Sequence, residues 1–451
     1  MGNAADVSDN QATPDMSAAQ KQAQKDAAAA SSAAAAYSPA TTEENSVLAG
    51  EDGELIDYKT LTWWQGGIVL IAETVSLGIL SLPSVLATVG LVPGIVLILV
   101  MSLLSTYSGL VLAEFRNEYP FVQNFGDAVE VIGKSIGMGA VFQEVFGWAQ
   151  VTFQIFVMGS HLLTWTICMN TLTNSSTCTI VWAVVGLAVF AVLNFPRTLK
   201  YTSYMSMASC LSITLAVLMT LGDVAVSRPI GSGSIEVGRQ LGFTGAFLAV
   251  TNIAIAFSSH SCFFSVIGEF KKPEDWPKAL ALLQIADTTL YLLAAICIYV
   301  FVGPDVPSPA LSAAASKTMR KAIWGIAIPT IVIAGVIYGH LSGIAWIAIV
   351  VGIWALSMVI AESIPVFNSL LGLICALFAS WFSYGLPGIF WLWMHYGNWF
   401  KDGRQTCKFV ANVCLFLTGF LICVLGLWAS IEAIATERAT KPWTCASNAA
   451  P

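Results

Sequence analysis

Apolar residues run almost unbroken along this chain in stretches of roughly twenty to thirty, with the polar residues gathered between them. A helix needs about 20 apolar residues, at about 1.5 Å each, to cross a bilayer core. The pattern predicts spans near 62–89, 91–114, 139–170, 177–195, 202–224, 242–269, 277–302, 322–340, 343–363, 366–394 and 406–434. Two of these divisions need a physical reason. Residues 322–361 are nearly continuous in hydrophobicity and would make one helix of about 60 Å, twice the hydrocarbon thickness. The run is therefore divided at Gly339–Gly343, and the next one ends at Glu362 and Pro365 in "ESIPVF". The fold class expected is an all-α polytopic membrane protein of eleven transmembrane helices.

Two spans break their own pattern. The first contains "AETVSLGILSLP" (72–83), with a carboxylate, hydroxyls, a glycine and a proline at membrane depth. The sixth contains Phe257-Ser258-Ser259-His260-Ser261 in the middle of an apolar run. Each opens a set of five helices, 1–5 and 6–10, and an odd number per set inserts the second upside down relative to the first. Small and hydroxyl residues in one membrane helix are explained by close packing. Two such helices in register across an inverted repeat point instead to a transporter's substrate site. Both are expected to be unwound, at Ser76-Leu77-Gly78 and at Phe257–Ser261. An unwound turn at membrane depth is tolerated where its free backbone groups line a cavity. The half-helix N-terminus beyond a break suits a carboxylate, and the carbonyls before it suit an ammonium. A zwitterionic amino acid fits that pair of ends.

Composition and charge add orientation. Of 451 residues 56% are apolar and 10% charged, against about 25% charged in soluble domains. Ten of the acids lie within the first sixty residues, which are rich in Ala, Ser and Gln and carry no apolar run or cleavable leader. Residues 1–60 are therefore expected to be a disordered cytosolic tail, in which Lys21 and Lys25 are candidate ubiquitin acceptors. Residues 61–394 would form the ten-helix core, with repeats at 62–224 and 242–394, and 395–451 the eleventh helix and a short external C-terminal tail. With the N-terminus inside, thirteen of the twenty lysines and arginines fall on the cytosolic side, as the positive-inside rule requires. The loop 303–321 opposes it with Lys317, Arg320 and Lys321. Asn174-Ser175-Ser176 is a glycosylation sequon in a loop assigned outside. The ten cysteines include no CxxC, and Cys168, Cys210, Cys297, Cys375 and Cys423 lie in apolar runs, where a small buried side chain explains them.

"ETVSLGILSLPSVLATVG" (73–90), "AFSSHSCFFSVIGEFKKPEDWPKAL" (256–280) and "IAESIPVFNSLLGLICALFASWFSYGLP" (360–387) resemble the amino acid/auxin permease family, most of all its fungal neutral and aromatic amino acid permeases. The resemblance spans roughly residues 58–430. It implies the five-plus-five inverted-repeat fold of the leucine transporters, with an eleventh helix added, and secondary active uptake across the plasma membrane. It also implies a substrate carboxylate at the backbone of Ser76, Leu77 and Gly78, within a contact stretch Val75 to Ile79. The ammonium would meet carbonyls near Val75 and Phe257 to Ser259, with Phe257 as an aromatic lid and His260 beside it. Sodium-coupled members carry an asparagine four residues before a glycine-serine-glycine turn. Here that position is Ala72 and the turn reads Ser-Leu-Gly.

The coupling ion expected is a proton, with no cofactor. Span eight offers no serine or threonine in "IVIAGVIYG" (331–339) to ligate sodium. Titratable groups at membrane depth are Glu73, Glu144, His161, His260, Asp287, His340 and Glu362. Glu73, three residues before the expected break in helix one, is the first choice for proton coupling, followed by His260 and Asp287. Glu144, His340 and Glu362 lie near helix ends, where snorkelling or capping accounts for them. Phe153, Phe156 and Gly159 on span three are candidate walls of the side-chain pocket. No acidic or basic residue is expected on that wall, so neutral amino acids, aliphatic and aromatic, are the expected substrates, with protons and the lipid bilayer as partners and no nucleic acid. An enzyme finds no support: "TLGD" (220–223) lacks the first glycine of an intramembrane protease motif, and there is no HExxH. No filter-like loop marks a channel. A vacuolar exporter of the same fold and a non-transporting amino acid sensor remain as alternatives.

Overall fold

A computed structural model describes residues 59–194, 202–228, 235–240, 242–339, 346–436 and 441–449, with two short strands before them. The chain divides into two units, Met1–Thr60 and Leu61–Pro451. In the first, β1 (Val47–Ala49) and β2 (Leu55–Asp57) pair antiparallel, Leu48 opposite Ile56. Here the sequence pattern predicts no structure. Short β-favouring runs flank a Gly-Glu-Asp-Gly connection, a composition suited to a hairpin. Lys21, Lys25, Arg197, Lys200 and His340 lie outside the described residues.

The second unit is helical: α1 (Trp63–Val89), α2 (Leu91–Glu118), α3 (Phe125–Lys134), α4 (Gly139–Thr173), α5 (Thr179–Asn194), α6 (Thr202–Ser227), α7 (Phe243–Ala256), α8 (Phe263–Gly268), α9 (Trp276–Val302), α10 (Lys317–Gly339), α11 (Trp346–Ser363), α12 (Phe367–Ile374), α13 (Leu386–Met394) and α14 (Gly403–Thr436). Among the described residues eight helical stretches are long and apolar enough to span a membrane, and a ninth is made by Phe367–Ala379 with Trp381–Met394, bent by 42°. The bend lies in π-helical turns at Cys375–Ala379 and Trp381–Gly385. Two shorter apolar helices, Thr179–Asn194 and Ile349–Ser363, lie where the fourth and ninth spans are expected. The short α3, begun by Asn124 accepting from the Asp127 N–H at 3.0 Å, is an addition that spanning-length runs do not reveal.

Helix one departs from expectation. It runs as continuous α-helix through Ser76-Leu77-Gly78. The hydroxyls that hint at an unwound turn bond back to their own helix instead: Ser76 Oγ to the Glu73 carbonyl at 3.1 Å, Ser81 Oγ to Gly78 at 3.0 Å and Ser84 Oγ to Ser81 at 2.7 Å. Gly78 lies where α1 crosses α7. A Cβ there would come within 2.7 Å of Ala256 Cα, so the glycine permits close helix approach. In the sixth span the α-helix gives way after Ala256 to a 3-10 turn at Ser259–Cys262 and resumes at Phe263. The segments flanking these two helices are joined by backbone bonds, Leu61 N–H to the Glu269 carbonyl at 3.0 Å and Lys271 N–H to the Leu61 carbonyl at 2.9 Å.

Burial alone does not account for all ten cysteines. Cys178, between α4 and α5, forms a disulfide with Cys445 near the C-terminus, 267 residues away. The segment around Cys445 also reaches into the helices. Asn448 Nδ2 donates to Thr166 Oγ1 at 2.8 Å, and Asn170 Nδ2 donates to Asn448 Oδ1 at 2.8 Å. Cys178 opens the expected span 177–195 and Cys445 lies in the C-terminal tail, ends that the charge pattern puts on one side. Disulfides form in oxidising compartments. The denatured, unreduced protein is expected to take eight maleimide tags and, after reduction, ten. Ten tags without reduction would refute the pairing.

Candidate functional site

The break in the sixth span frees backbone groups that need partners, and neighbouring helices supply them. Tyr291 of α9 places its hydroxyl 2.7 Å from the Ala256 carbonyl and 3.0 Å from the Thr74 carbonyl, bridging α7 and α1. Ser105 of α2 donates to the Phe257 carbonyl at 3.0 Å and itself accepts from Gln284 Nε2 at 3.0 Å. Gln150 of α4 donates to the Ser261 carbonyl at 3.2 Å. Of the carbonyls expected to receive a substrate ammonium, that of Phe257 is held by Ser105, and those of the adjoining Ala256 and Thr74 by Tyr291.

Beside the break lies a cavity with about 470 Å³ of empty space, its open mouth included. Helix α1 contributes Glu73, Thr74, Ser76, Leu77 and Gly78, and the broken span contributes Ile255, Ser258 and Ser259. Helix α4 adds Phe153, Val157, Ser160 and His161, α10 adds Tyr338, and α12 adds Leu371 and Ile374. Glu73 is the one acidic residue on this lining. Its Oε1 accepts from Cys262 Sγ at 2.7 Å, and Tyr338 of α10 lines the same cavity. The carboxyl group therefore joins α1 to the broken span on a wall that α10 also lines. Ser259 Oγ is buried without a hydrogen-bond partner among the described residues, a hydroxyl with both donor and acceptor capacity at the cavity edge.

Several sequence-predicted residues converge on this cavity: Glu73, Ser76, Leu77, Gly78, Phe153, Ser258 and Ser259. Others stand behind its wall. Val75 and Ile79 are buried within helix packing. Phe156 packs against Phe378, with ring centres 5.6 Å apart, and Phe257 sets its ring edge-on to Tyr291 at 5.1 Å. His260 turns toward α2, 2.7 Å from Ser108 Oγ and 3.1 Å from the Ser105 carbonyl. Asp287 lies away from the cavity on α9, fully buried, and neither carboxyl oxygen has a hydrogen-bond partner among the described residues. Asn174 is exposed, at positive φ, beyond the end of α4. Tyr291, Tyr338 and Cys262 are residues that sequence reasoning missed. A tyrosine or cysteine in an apolar run looks like packing until its partner on another helix is known.

Comparison with known proteins gives this geometry a context. A family model described as transmembrane amino acid transporter protein matches residues 59–341 and 334–432. The N amino acid transport system protein of Neurospora crassa is 29% identical over 424 residues, covering 86% of this chain and 89% of that one. A transmembrane transporter of Fusarium pseudograminearum is 24% identical over 434 residues, covering 88% and 90%. Among solved structures, a nucleobase-cation-symport-1 family transporter in a closed conformation superposes with a TM-score of 0.51 at 16% identity, covering 84% of this chain and 92% of that one. A manganese transporter from Eremococcus coleocola gives 0.52 at 11% identity, covering 82% and 92%. These structural likenesses concern the fold, which is that of the leucine-transporter-like carriers.

Proposed function

The chain belongs to the transmembrane amino acid transporter family, and from that premise we propose that it is a proton-coupled symporter of neutral amino acids, aliphatic and aromatic, taking them into the cell across the plasma membrane. Eleven spans, a cytosolic N-terminus and an external C-terminus complete the reading. The observation that carries it is Glu73: a carboxyl group of α1 on the cavity wall, bonded to Cys262 of the broken span and sharing the cavity with Tyr338 of α10. A group so placed exchanges its proton where substrate binds and where the helices must move past one another. His260 and Asp287 are the other proton candidates.

Two features favour a proton over sodium. Sodium needs several oxygen ligands, and α10 brings Tyr338 to the cavity that Glu73 lines instead of a serine or threonine cage. The unbroken α1 also keeps the backbone carbonyls near Ser76 within helical bonding. Alternating access would rock spans 1, 2, 6 and 7 against spans 3, 4, 5 and 8. No covalent step is required. One charge moving through about 100 mV releases about 2.3 kcal/mol, and one pH unit adds about 1.4 kcal/mol. Together these sustain a few hundred-fold accumulation per proton.

The test is uptake of radiolabelled phenylalanine and leucine into permease-deficient yeast at pH 5 and pH 7.5, with and without sodium. Uptake is expected to rise with acid, ignore sodium and collapse with a protonophore. Stimulation by sodium, or no uptake despite surface expression, would overturn the proposal.

A further inference from the structure

His161 stands on α4 with its side chain wholly buried, and it lines the cavity beside Tyr338, ring centres 6.0 Å apart. Its Nδ1 lies 3.1 Å from the Ile331 carbonyl oxygen of α10. A carbonyl only accepts, so Nδ1 carries the hydrogen and the tautomer is fixed by this bond. In the neutral ring Nε2 is then a bare acceptor. Among the described residues Nε2 has no hydrogen-bond partner, and it is closed to solvent.

An acceptor stripped of water and left unpaired weakens a fold, and buried polar atoms are paired as a rule. Phenylalanine or leucine at this position would complete the apolar wall made by Leu77, Phe153, Val157, Leu371 and Ile374. The chain holds an oriented imidazole there instead. Ser259 Oγ, on the broken span, is the second unpartnered polar atom at the same cavity. A zwitterion's own charged groups belong with the broken span. That leaves the α4 side for the substrate's side chain.

We propose that His161 Nε2 accepts a hydrogen bond from the side chain of the transported amino acid. Among neutral substrates the site then favours those carrying an O–H or N–H donor, such as threonine, tyrosine or glutamine, over apolar isosteres. This rests on the reading of the cavity as the substrate site. Sites built to bond a polar group reject analogues lacking it more sharply than apolar pockets reject an added hydroxyl.

The experiment compares isosteric pairs, threonine with valine and tyrosine with phenylalanine, by Vmax/KM for uptake into cells. The wild type is expected to prefer the hydroxylated member by about tenfold or more. His161→Asn retains an N–H for the Ile331 carbonyl but places nothing at Nε2. It is expected to bring both ratios near one, the loss for threonine and tyrosine exceeding any loss for valine and phenylalanine by about tenfold. A purely anchoring histidine would let the asparagine variant keep the wild-type ratios, and that result overturns the proposal, as does a wild-type ratio of one. Should the variant fail to reach the surface, thermal stabilisation of the purified wild type by threonine but not by valine reads the same preference, and equal stabilisation refutes it. Uptake of both members without discrimination sinks this inference alone. Absence of any amino acid uptake sinks the proposed function as well.

Discussion

Glu73→Gln is expected to abolish concentrative uptake while leaving exchange of labelled for unlabelled amino acid within about threefold of wild type. Glutamine has nearly the shape of glutamate, and its carbonyl can accept from Cys262 Sγ as the carboxyl does. The cavity and the contact between α1 and the broken span survive the change. What is lost is the ability to take up and release a proton. Accumulation should fall from the few hundred-fold that one proton can sustain to about one, and the advantage of pH 5 over pH 7.5 should vanish. The measurement is the steady-state ratio of internal to external label, beside counterflow in the same vesicles. Loss of both activities would make Glu73 a substrate contact instead of a coupling group. Retained accumulation would move the proton to Asp287, whose carboxyl has no partner among the described residues, or to His260.

The division between what the sequence revealed and what it did not follows the range of the interactions. The break in the sixth span was legible because Ser258, Ser259, His260 and Ser261 interrupt an apolar helix with groups that lipid cannot satisfy. The similar cluster at Ser76-Leu77-Gly78 misled, because serine and glycine serve two opposite ends. Serine can leave the helix or bond back one turn, and glycine can bend a backbone or admit a neighbour. Ala256, 178 residues away in sequence, decides between them. Tyr291 and Tyr338 were illegible for the same reason, since each acts through a partner on another helix. Glu73 could be read from sequence because a carboxyl group at membrane depth needs a reason of its own. The Cys178–Cys445 pair was within reach: one residue opens the expected span 177–195, the other lies in the C-terminal tail, and both ends fall on the same expected side. His161 was visible as a titratable group at membrane depth, but the free edge of its ring depends on the Ile331 carbonyl. The family resemblance is the part the comparisons support outright.

The crossing of α1 and α7 leads to the second large effect. Gly78→Ala adds a methyl group that would lie 2.7 Å from Ala256 Cα, 2.8 Å from its Cβ and 3.3 Å from the Tyr291 hydroxyl. Carbon atoms settle at about 3.5–4.0 Å, so the two helices must part by about 1 Å. A flexible side chain could yield; backbone cannot. The Tyr291 hydroxyl now spans 2.7 Å to Ala256 and 3.0 Å to Thr74, and a parting of that size leaves it able to reach one carbonyl but not both. The bridge between α1 and α7 is then lost. Overpacking of this kind destabilises by about 1–3 kcal/mol. The variant is expected to unfold at lower temperature in detergent and to transport at under a tenth of the wild-type rate per molecule at the surface. Gly325→Ala is the control: on α10 a Cβ meets nothing within 4 Å, and both readings should match wild type. Wild-type transport by Gly78→Ala would mean that α1 gives way at Ser76–Gly78 during the cycle. The close approach would then belong to this conformation, and the unwinding predicted from sequence to another.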